Sequence, residues 1–498
     1  MSMKRLALMV AAAVVWTSMA AQPAQLQRNI TQIASRNPAL SGATVGVSVR
    51  DAAGKEIAAL NSGQRMIPAS NMKLITTGTA LHTLGPDYTF KTAIGYTGTV
   101  EDGILKGDVY IIGGGDPTTG APEKDFGWLP FRNWADILHR AGIKAVDGRI
   151  IADSRLWEGY LEFGDWTYED VGTYYGTGSG ALCFYKNVVD LQVAATEVGR
   201  PVSAIQSYPE TPWMHNANLG VTGPEGTGNS LYLYTTDLAP YAELRGSFAA
   251  DCNPKTEHFA NKFGAMTCAY YFRNYLIENG FEVTGGAADI DRQGRIRTAD
   301  FVSGDYAGEP EVIGHTESVQ LKDIARKTNL DSDNFYAESL FRTMAEEASG
   351  IAVYDSAKVA ECAALRKLGV NPGSAVIVDG SGLSRRNGLS PGFITGYLNA
   401  MTSSPAFPAF LESLPAPGEG TLEVLFRDKP KMCRYRLKSG SMEGVLCYSG
   451  YLLDDDGTPV ATVSVLVNGA AARTAQVRKA VEGILAAVEG EIAGRRRQ

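Results

Sequence analysis

The chain has 498 residues, 44% of them hydrophobic, and 54 acidic against 46 basic side chains leave a formal net charge of −8. That acidic balance removes the electrostatic reason to bind nucleic acid, and the length exceeds what one core usually serves, so two or three domains are expected. Five scattered histidines and six cysteines without a C-x-x-C pair argue against a zinc site, and nothing calls for a metal or other cofactor.

Lys4 and Arg5 precede an apolar run from Leu6 to Trp16, and Ser18-Met19-Ala20 offers small residues where a signal peptidase reads. The run is too short and wrongly flanked for a spanning helix, so residues 1–20 read as a signal peptide, with a retained anchor as the alternative. Its removal makes the chain exported, periplasmic or extracellular, without a transmembrane segment, and takes the net charge to −10. The Arg495-Arg496-Arg497 tail is a local basic exception. In an oxidising compartment the six cysteines permit up to three disulfides, with Cys252–Cys268 and Cys433–Cys447 the neighbouring pairs.

Leu26, Ile30 and Ile33 recur at helical spacing until Asn37-Pro38. Val45, Val47 and Val49 alternate as one face of a strand, and the Ala53-Gly54 turn leads into a second strand over Ile57 to Leu60. A helical pattern then runs from Ser70 to Leu84 and closes at Gly85-Pro86. From 90 to 305 the chain is rich in Gly, Tyr and Trp, with short strands such as Lys91–Gly95 and Leu105–Ile112, and reads as a β-rich insertion. Helical patterns follow at Leu321 to Lys327 and around Tyr336, Leu340 and Met344. Near the end, strands over Val445–Leu453 and Val460–Val467 flank an Asp456-Gly457 turn, and a helix carries Val477, Val481, Ile484, Leu485 and Val488 on one face. Both chain ends thus supply one α/β domain in which the termini meet.

Three motifs carry chemistry. Ser70-Asn71-Met72-Lys73 is the only S-x-x-K in the chain, and a helix start puts its hydroxyl and amine on one face. A desolvated lysine can be neutral enough to activate a serine, and the helix N-terminus favours negative charge at a reacting carbonyl. Ser332-Asp333-Asn334 sits between two helices, where a loop can project a hydroxyl and an amide into a cleft. Lys438-Ser439-Gly440 ends a strand, where a cation and hydroxyl suit a substrate carboxylate and the glycine admits a close ligand backbone. Each motif alone has a plain alternative as a helix cap or strand-to-turn transition. In this order, however, S-x-x-K, S-D-N and K-[ST]-G form the signature shared by penicillin-binding proteins and class A β-lactamases.

With Pro68-Ala69 before Ser70, Gly113-Gly114-Gly115-Asp116-Pro117, Asp379-Gly380-Ser381-Gly382-Leu383-Ser384-Arg385 and Ser441-Met442, the chain resembles the low-molecular-mass class C penicillin-binding proteins. These form the D-alanyl-D-alanine carboxypeptidase/endopeptidase family. Ser332 lies 259 positions beyond Lys73, where that family carries inserted domains. Class A β-lactamases have a much shorter gap and an E-x-x-L-N box that is missing downstream of Asn334.

The resemblance implies an α/β (α+β) penicillin-recognising serine transpeptidase/β-lactamase-like domain, an antiparallel sheet flanked by helices, plus β-rich inserted domains. That domain would comprise 21–89 and 306–498, and 90–305 would form two small domains. The partners implied are peptidoglycan stem peptides and β-lactams. Ser70 would be the nucleophile and Lys73 its base, with Ser332 and Lys438 relaying a proton to the leaving D-Ala. Asn334 would hold the substrate amide, Lys438 and Ser439 its carboxylate, and the Ser70 and Ser441 N–H groups the oxyanion, beside Gly440. Asp153, Arg385 and Met442 match a pocket for the diaminopimelate side chain. The third motif departs from the commoner K-T-G but keeps its hydroxyl. Competing readings are a β-lactamase or D-peptide esterase with the same motifs, and an inactive scaffold that binds cell-wall peptides.

Overall fold

The computed structural model describes residues 25–122, 124–428 and 434–496. The signal-peptide region 1–20, Cys433 and Arg497 lie outside them. The chain divides into two compact units, one comprising residues up to Pro86, Ala325–Asp333 and from Glu361 onward, the other Asp87–Ile324 and Asn334–Ala360.

The first unit is built on a five-stranded antiparallel sheet. In spatial order its strands are Glu56–Leu60, Thr44–Asp51, Pro459–Asn468, Val445–Leu453 and Tyr435–Met442. Strand Thr44–Asp51 pairs Pro459–Asn468 in unbroken register from Thr44↔Asn468 to Asp51↔Ala461, which joins the two ends of the chain. Period-two alternation then decides the layers. Val45, Val47 and Val49 point to one face, where they meet Leu26 and Ile30 of the helix over 25–36 and Val477, Val481, Ile484 and Val488 of helix Thr474–Arg496. Ser48 and Arg50 point to the other face and bond the Thr395 hydroxyl of helix Pro391–Met401 at 2.7 and 3.1 Å. Gly46 stands where a methyl would strike Pro391, so bare backbone lets helix and sheet touch. Each buried Val, Leu or Ile on the first face contributes about 1.5–3 kcal/mol.

The second unit centres on a seven-stranded sheet in the order Ser303–Tyr306, Arg295–Thr298, Ala287–Ile290, Ile150–Asp153, Val109–Ile112, Lys91–Tyr96 and Glu311–Glu317. Its three middle strands are parallel. It also holds smaller sheets, such as Val188–Ala194 between Ser203–Tyr208 and Lys255–Ala260. The insertion is less purely β than its composition predicts. Helices Phe131–Arg140 and Gly264–Glu278 bury Trp134, Leu138, Met266, Phe272 and Leu276 in one core.

The boundaries also differ from the expected 89/90 and 305/306. The second unit starts at Asp87 and keeps residues up to Ile324, because Glu311–Glu317 pairs Lys91–Tyr96 as an edge of the large sheet. Residues 334–360 join it as well. The buried Arg342 of helix Asn334–Ser349 donates to the carbonyls of Glu158, Tyr160, Ser179 and Ala352, all in the second unit. The two small domains expected of the insertion share this one unit. The strand expected from Leu105 to Ile112 is two strands, Ile104–Lys106 and Val109–Ile112, parted at Gly107 by a φ of +158°.

Cys183, Cys252, Cys268 and Cys447 are free thiols. The pair Cys252–Cys268 is therefore not made: Cys268 is buried in the helical core, whereas Cys252 packs beside a different cluster around Phe248. Burial also raises the pKa of Cys183, Cys268 and Cys447, which keeps them as inert thiols. Among the described residues no helix is long and apolar enough to cross a membrane.

Ile484 is fully buried at the centre of the helix-to-sheet core. Ile484→Ala is expected to destabilise the first unit by about 2–5 kcal/mol, read as a lower urea midpoint in ellipticity.

Candidate active site

The Ser70 helix starts in a strained way. Ala69 has a positive φ of +46° although it carries a Cβ, and Ala69–Asn71 form a single 3-10 turn before helix Met72–Leu84. Such a conformation costs about 1–3 kcal/mol and persists only where the surroundings impose it. Gly382 packs tightly against it: a methyl there would stand 2.0 Å from the Ala69 carbonyl.

Lys73 is buried, and its ammonium donates to Ser70 Oγ at 3.0 Å and to the Ser381 carbonyl at 2.7 Å. The Asp379–Arg385 segment holds that carbonyl. Asp379 accepts from the Gly382 and Ser384 backbone N–H groups at 2.8 and 2.6 Å and from Asn387 at 2.7 Å. The Thr76 hydroxyl donates to Gly380 O at 2.8 Å, tying the loop to the Ser70 helix.

Opposite lies the edge strand of the sheet, Tyr435–Met442. A methyl on Gly440 would stand 2.7 Å from Pro68 O and 2.9 Å from the backbone nitrogens of Ser70 and Asn71. Glycine is therefore what lets the strand lie against the helix start, and Asn71 completes the join by donating to Lys438 O at 3.1 Å. Lys438, fully buried, donates to Ser332 Oγ at 2.9 Å and to Ser439 O at 2.7 Å. Ser332 also has a left-handed backbone, φ +60°. Burial, and after it the Lys73 charge, push the Lys438 pKa well below its ordinary value.

The first unit thus brings together Ser70, Lys73, Ser332, Lys438, Ser439, Gly440 and Ser441, with Met442 at the end of the same strand. Arg385 is exposed on the Asp379 loop. Asn334 and Asp153 belong to the second unit. The Asn334 side chain donates to Tyr175 O at 3.0 Å. Asp153 ends a strand of the large sheet, and its carboxylate accepts a fork of bonds from Arg155 at 2.7–3.1 Å, so its charge is already countered. Among the described residues no cluster of His, Cys, Asp and Glu could hold a metal ion.

Three contributors escaped the sequence reading: the Ser381 carbonyl on Lys73, the Asn71 amide on Lys438, and Thr421, whose hydroxyl accepts from Ser439 Oγ at 2.7 Å. Ser381 and Asn71 lie inside motifs already singled out, but a carbonyl contact has no residue-type signal. Thr421 belongs to no such motif.

An antiparallel sheet whose edge strand carries Lys438 against a Ser70–Lys73 helix start defines a penicillin-recognising serine hydrolase. The chain belongs to the D-Ala-D-Ala carboxypeptidase 3 (S13) family, whose model matches residues 26–488. It is 30% identical over 444 residues to a D-alanyl-D-alanine carboxypeptidase from an Actinomadura species, spanning 84% of this chain and 77% of that one. The crystal structure of penicillin binding protein 4 from Haemophilus influenzae superposes with a TM-score of 0.77 at 21% identity, covering 93% of this chain and 99% of the other. A structure of the same protein complexed with a β-lactam gives 0.71 at 20% identity, with the same coverages.

Two outcomes follow for acylation of Ser70, measured with a reporter penicillin. Gly440→Ala is expected to slow it about 10²–10³-fold by forcing the strand off the Ser70 amide, with ellipticity unchanged. The rate is also expected to fall with rising pH along an alkaline limb below 10.5, because the lowered Lys438, which is bonded to Ser332, loses its proton sooner than an ordinary lysine. A limb at or above that value would contradict the lowering of Lys438 by burial and the Lys73 charge.

Proposed function

We propose that this chain is an exported D-alanyl-D-alanine carboxypeptidase/endopeptidase that cuts peptidoglycan stem peptides through an acyl-enzyme on Ser70. The observation that carries the reading is the pair of buried lysines, each bonded to a serine hydroxyl, Lys73 to Ser70 and Lys438 to Ser332. Such a pair can divide the work of a serine hydrolase, one relay taking the nucleophile's proton and the other protonating the leaving group.

Neutral Lys73 accepts the Ser70 hydroxyl proton as Oγ attacks the carbonyl between the two D-Ala residues. The oxyanion that forms is received by the backbone N–H groups of Ser70 and Ser441, which Gly440 allows to approach each other. Collapse expels D-Ala, whose nitrogen takes a proton from Ser332, replenished through Lys438. Water then cleaves the ester: its proton recharges Lys438 through Ser332, its oxygen completes the new carboxylic acid, and Ser70 Oγ leaves with the proton that Lys73 had taken. Asn334, two residues along the chain from Ser332, holds the substrate amide. Lys438 and Ser439 bind the free carboxylate beside the scissile bond. A β-lactam follows the same first step and leaves slowly, since its ring-opened remainder stays attached.

Arg385 and Met442 are available to the side chain of the third stem residue. Asp153 reads as one half of a neutral pair with Arg155, so an ammonium group would meet it only by sharing its carboxylate. The targeting pattern of residues 1–20 supports export.

Digestion of purified peptidoglycan is expected to release D-Ala with the wild-type chain, and neither D-Ala nor penicillin labelling with Ser70→Ala. Rapid turnover of penicillin by the wild type would overturn the peptidase assignment in favour of a β-lactamase. Failure of the wild type to label would favour a binding scaffold.

A further inference from the structure

Beside Ser439 lies a hydroxyl that none of the motifs supplies. Ser439 Oγ donates to Thr421 Oγ1 at 2.7 Å, and Thr421 is exposed to solvent. The Thr421 hydroxyl makes no hydrogen bond as donor to another protein group among the described residues.

The turn that presents it is fastened on three sides. Gly420 has φ +46°, and a methyl there would fall 2.2 Å from the carbonyl of Leu330, two residues before Ser332. Only glycine therefore lets the turn press against the chain that leads to the catalytic loop. Leu422 is fully buried in the core beneath the sheet. Glu419 accepts from Arg436 at 3.2 Å, and Arg436 lies on the same strand as Lys438 and Ser439. The Gly418 N–H donates to Leu422 O at 3.0 Å, closing the turn on itself. A turn held this firmly is a rigid mount for one exposed hydroxyl.

We propose that Thr421 is a specificity-determining residue that donates a hydrogen bond to the terminal carboxylate of the substrate, beside Ser439. This rests on the reading of the Lys438–Ser439 strand as the carboxylate site. A hydroxyl has one hydrogen to give, and a carboxylate offers two oxygens that only accept. When a carboxylate enters, Ser439 turns its hydrogen from Thr421 to one oxygen, and Thr421 gives its own to the other. A carboxamide carries hydrogens on one of those two atoms and cannot accept both bonds. The two hydroxyls together thus read a free acid, where Lys438 alone would read only charge.

The test uses the full chain with a D-Ala-D-Ala-terminated peptide and the same peptide ended as a carboxamide, and compares wild type, Thr421→Val and Thr421→Ser. Thr421→Val is expected to raise KM for the acid about tenfold, the scale of one hydrogen bond to a charged group, with kcat changed less than about threefold. The loss in kcat/KM is expected to be at least fivefold greater for the acid than for the amide, and Thr421→Ser restores it. Equal losses on both substrates would make Thr421 a structural part of the turn and overturn the proposal. So would an unchanged KM in a background where wild type still prefers the acid. A wild type with no preference for the acid would instead sink the underlying reading of the carboxylate site.

Discussion

Two ammonium groups buried near one another cannot both stay charged without a large desolvation and repulsion penalty. Lys73 and Lys438 are both fully buried, and the charge of Lys73 is one of the causes that lower Lys438. Most of the site can be understood as what is needed to hold them. Each has one backbone carbonyl, of Ser381 or Ser439, and one serine hydroxyl, of Ser70 or Ser332. The carbonyls stabilise whichever lysine carries the proton, and the hydroxyls are the groups between which protons must move. Burial and the Lys73 charge thus leave Lys438 easier to deprotonate than an ordinary lysine, and neither relay contains a histidine.

Holding the lysines requires backbone to pass close to backbone, and that explains where the glycines fall. Gly440 brings the edge strand to Ser70, and Gly382 brings the Asp379 loop to Ala69. Gly420 brings the Thr421 turn to Leu330. In each case a methyl would fall within 3.0 Å of the facing backbone, so the two elements would have to move apart. The left-handed Ala69 and Ser332 show the other side of the same constraint, since neither residue type favours that conformation.

The second unit has its own architecture and core, yet it includes Asn334, which follows Asp333 of the first unit directly along the chain. The S-D-N motif therefore straddles a unit boundary. That arrangement differs at 306–324 and 334–360 from a domain division drawn from composition. Glu311–Glu317 is polar enough to resemble a loop, and only its pairing with Lys91–Tyr96 assigns it to the large sheet. Helices Phe131–Arg140 and Gly264–Glu278 were lost among the aromatic residues that surround them, because tyrosine and tryptophan favour strands in the absence of other information.

The amino-acid order by itself determined the terminal elements, since Val45, Val47 and Val49 and the Val477–Val488 face carry their own periodicity. It also singled out Ser70, the two lysines and Ser332, because their side-chain chemistry is legible one residue at a time. What only the tertiary structure decided is everything mediated by backbone or by distance. The Ser381 carbonyl on Lys73, the clearance at Gly440, the Asp153–Arg155 pair and the Thr421 hydroxyl beside Ser439 fall in this class. The physical reason is that every residue has a carbonyl and many have a hydroxyl, so these groups become specific only when the fold brings them within hydrogen-bond reach.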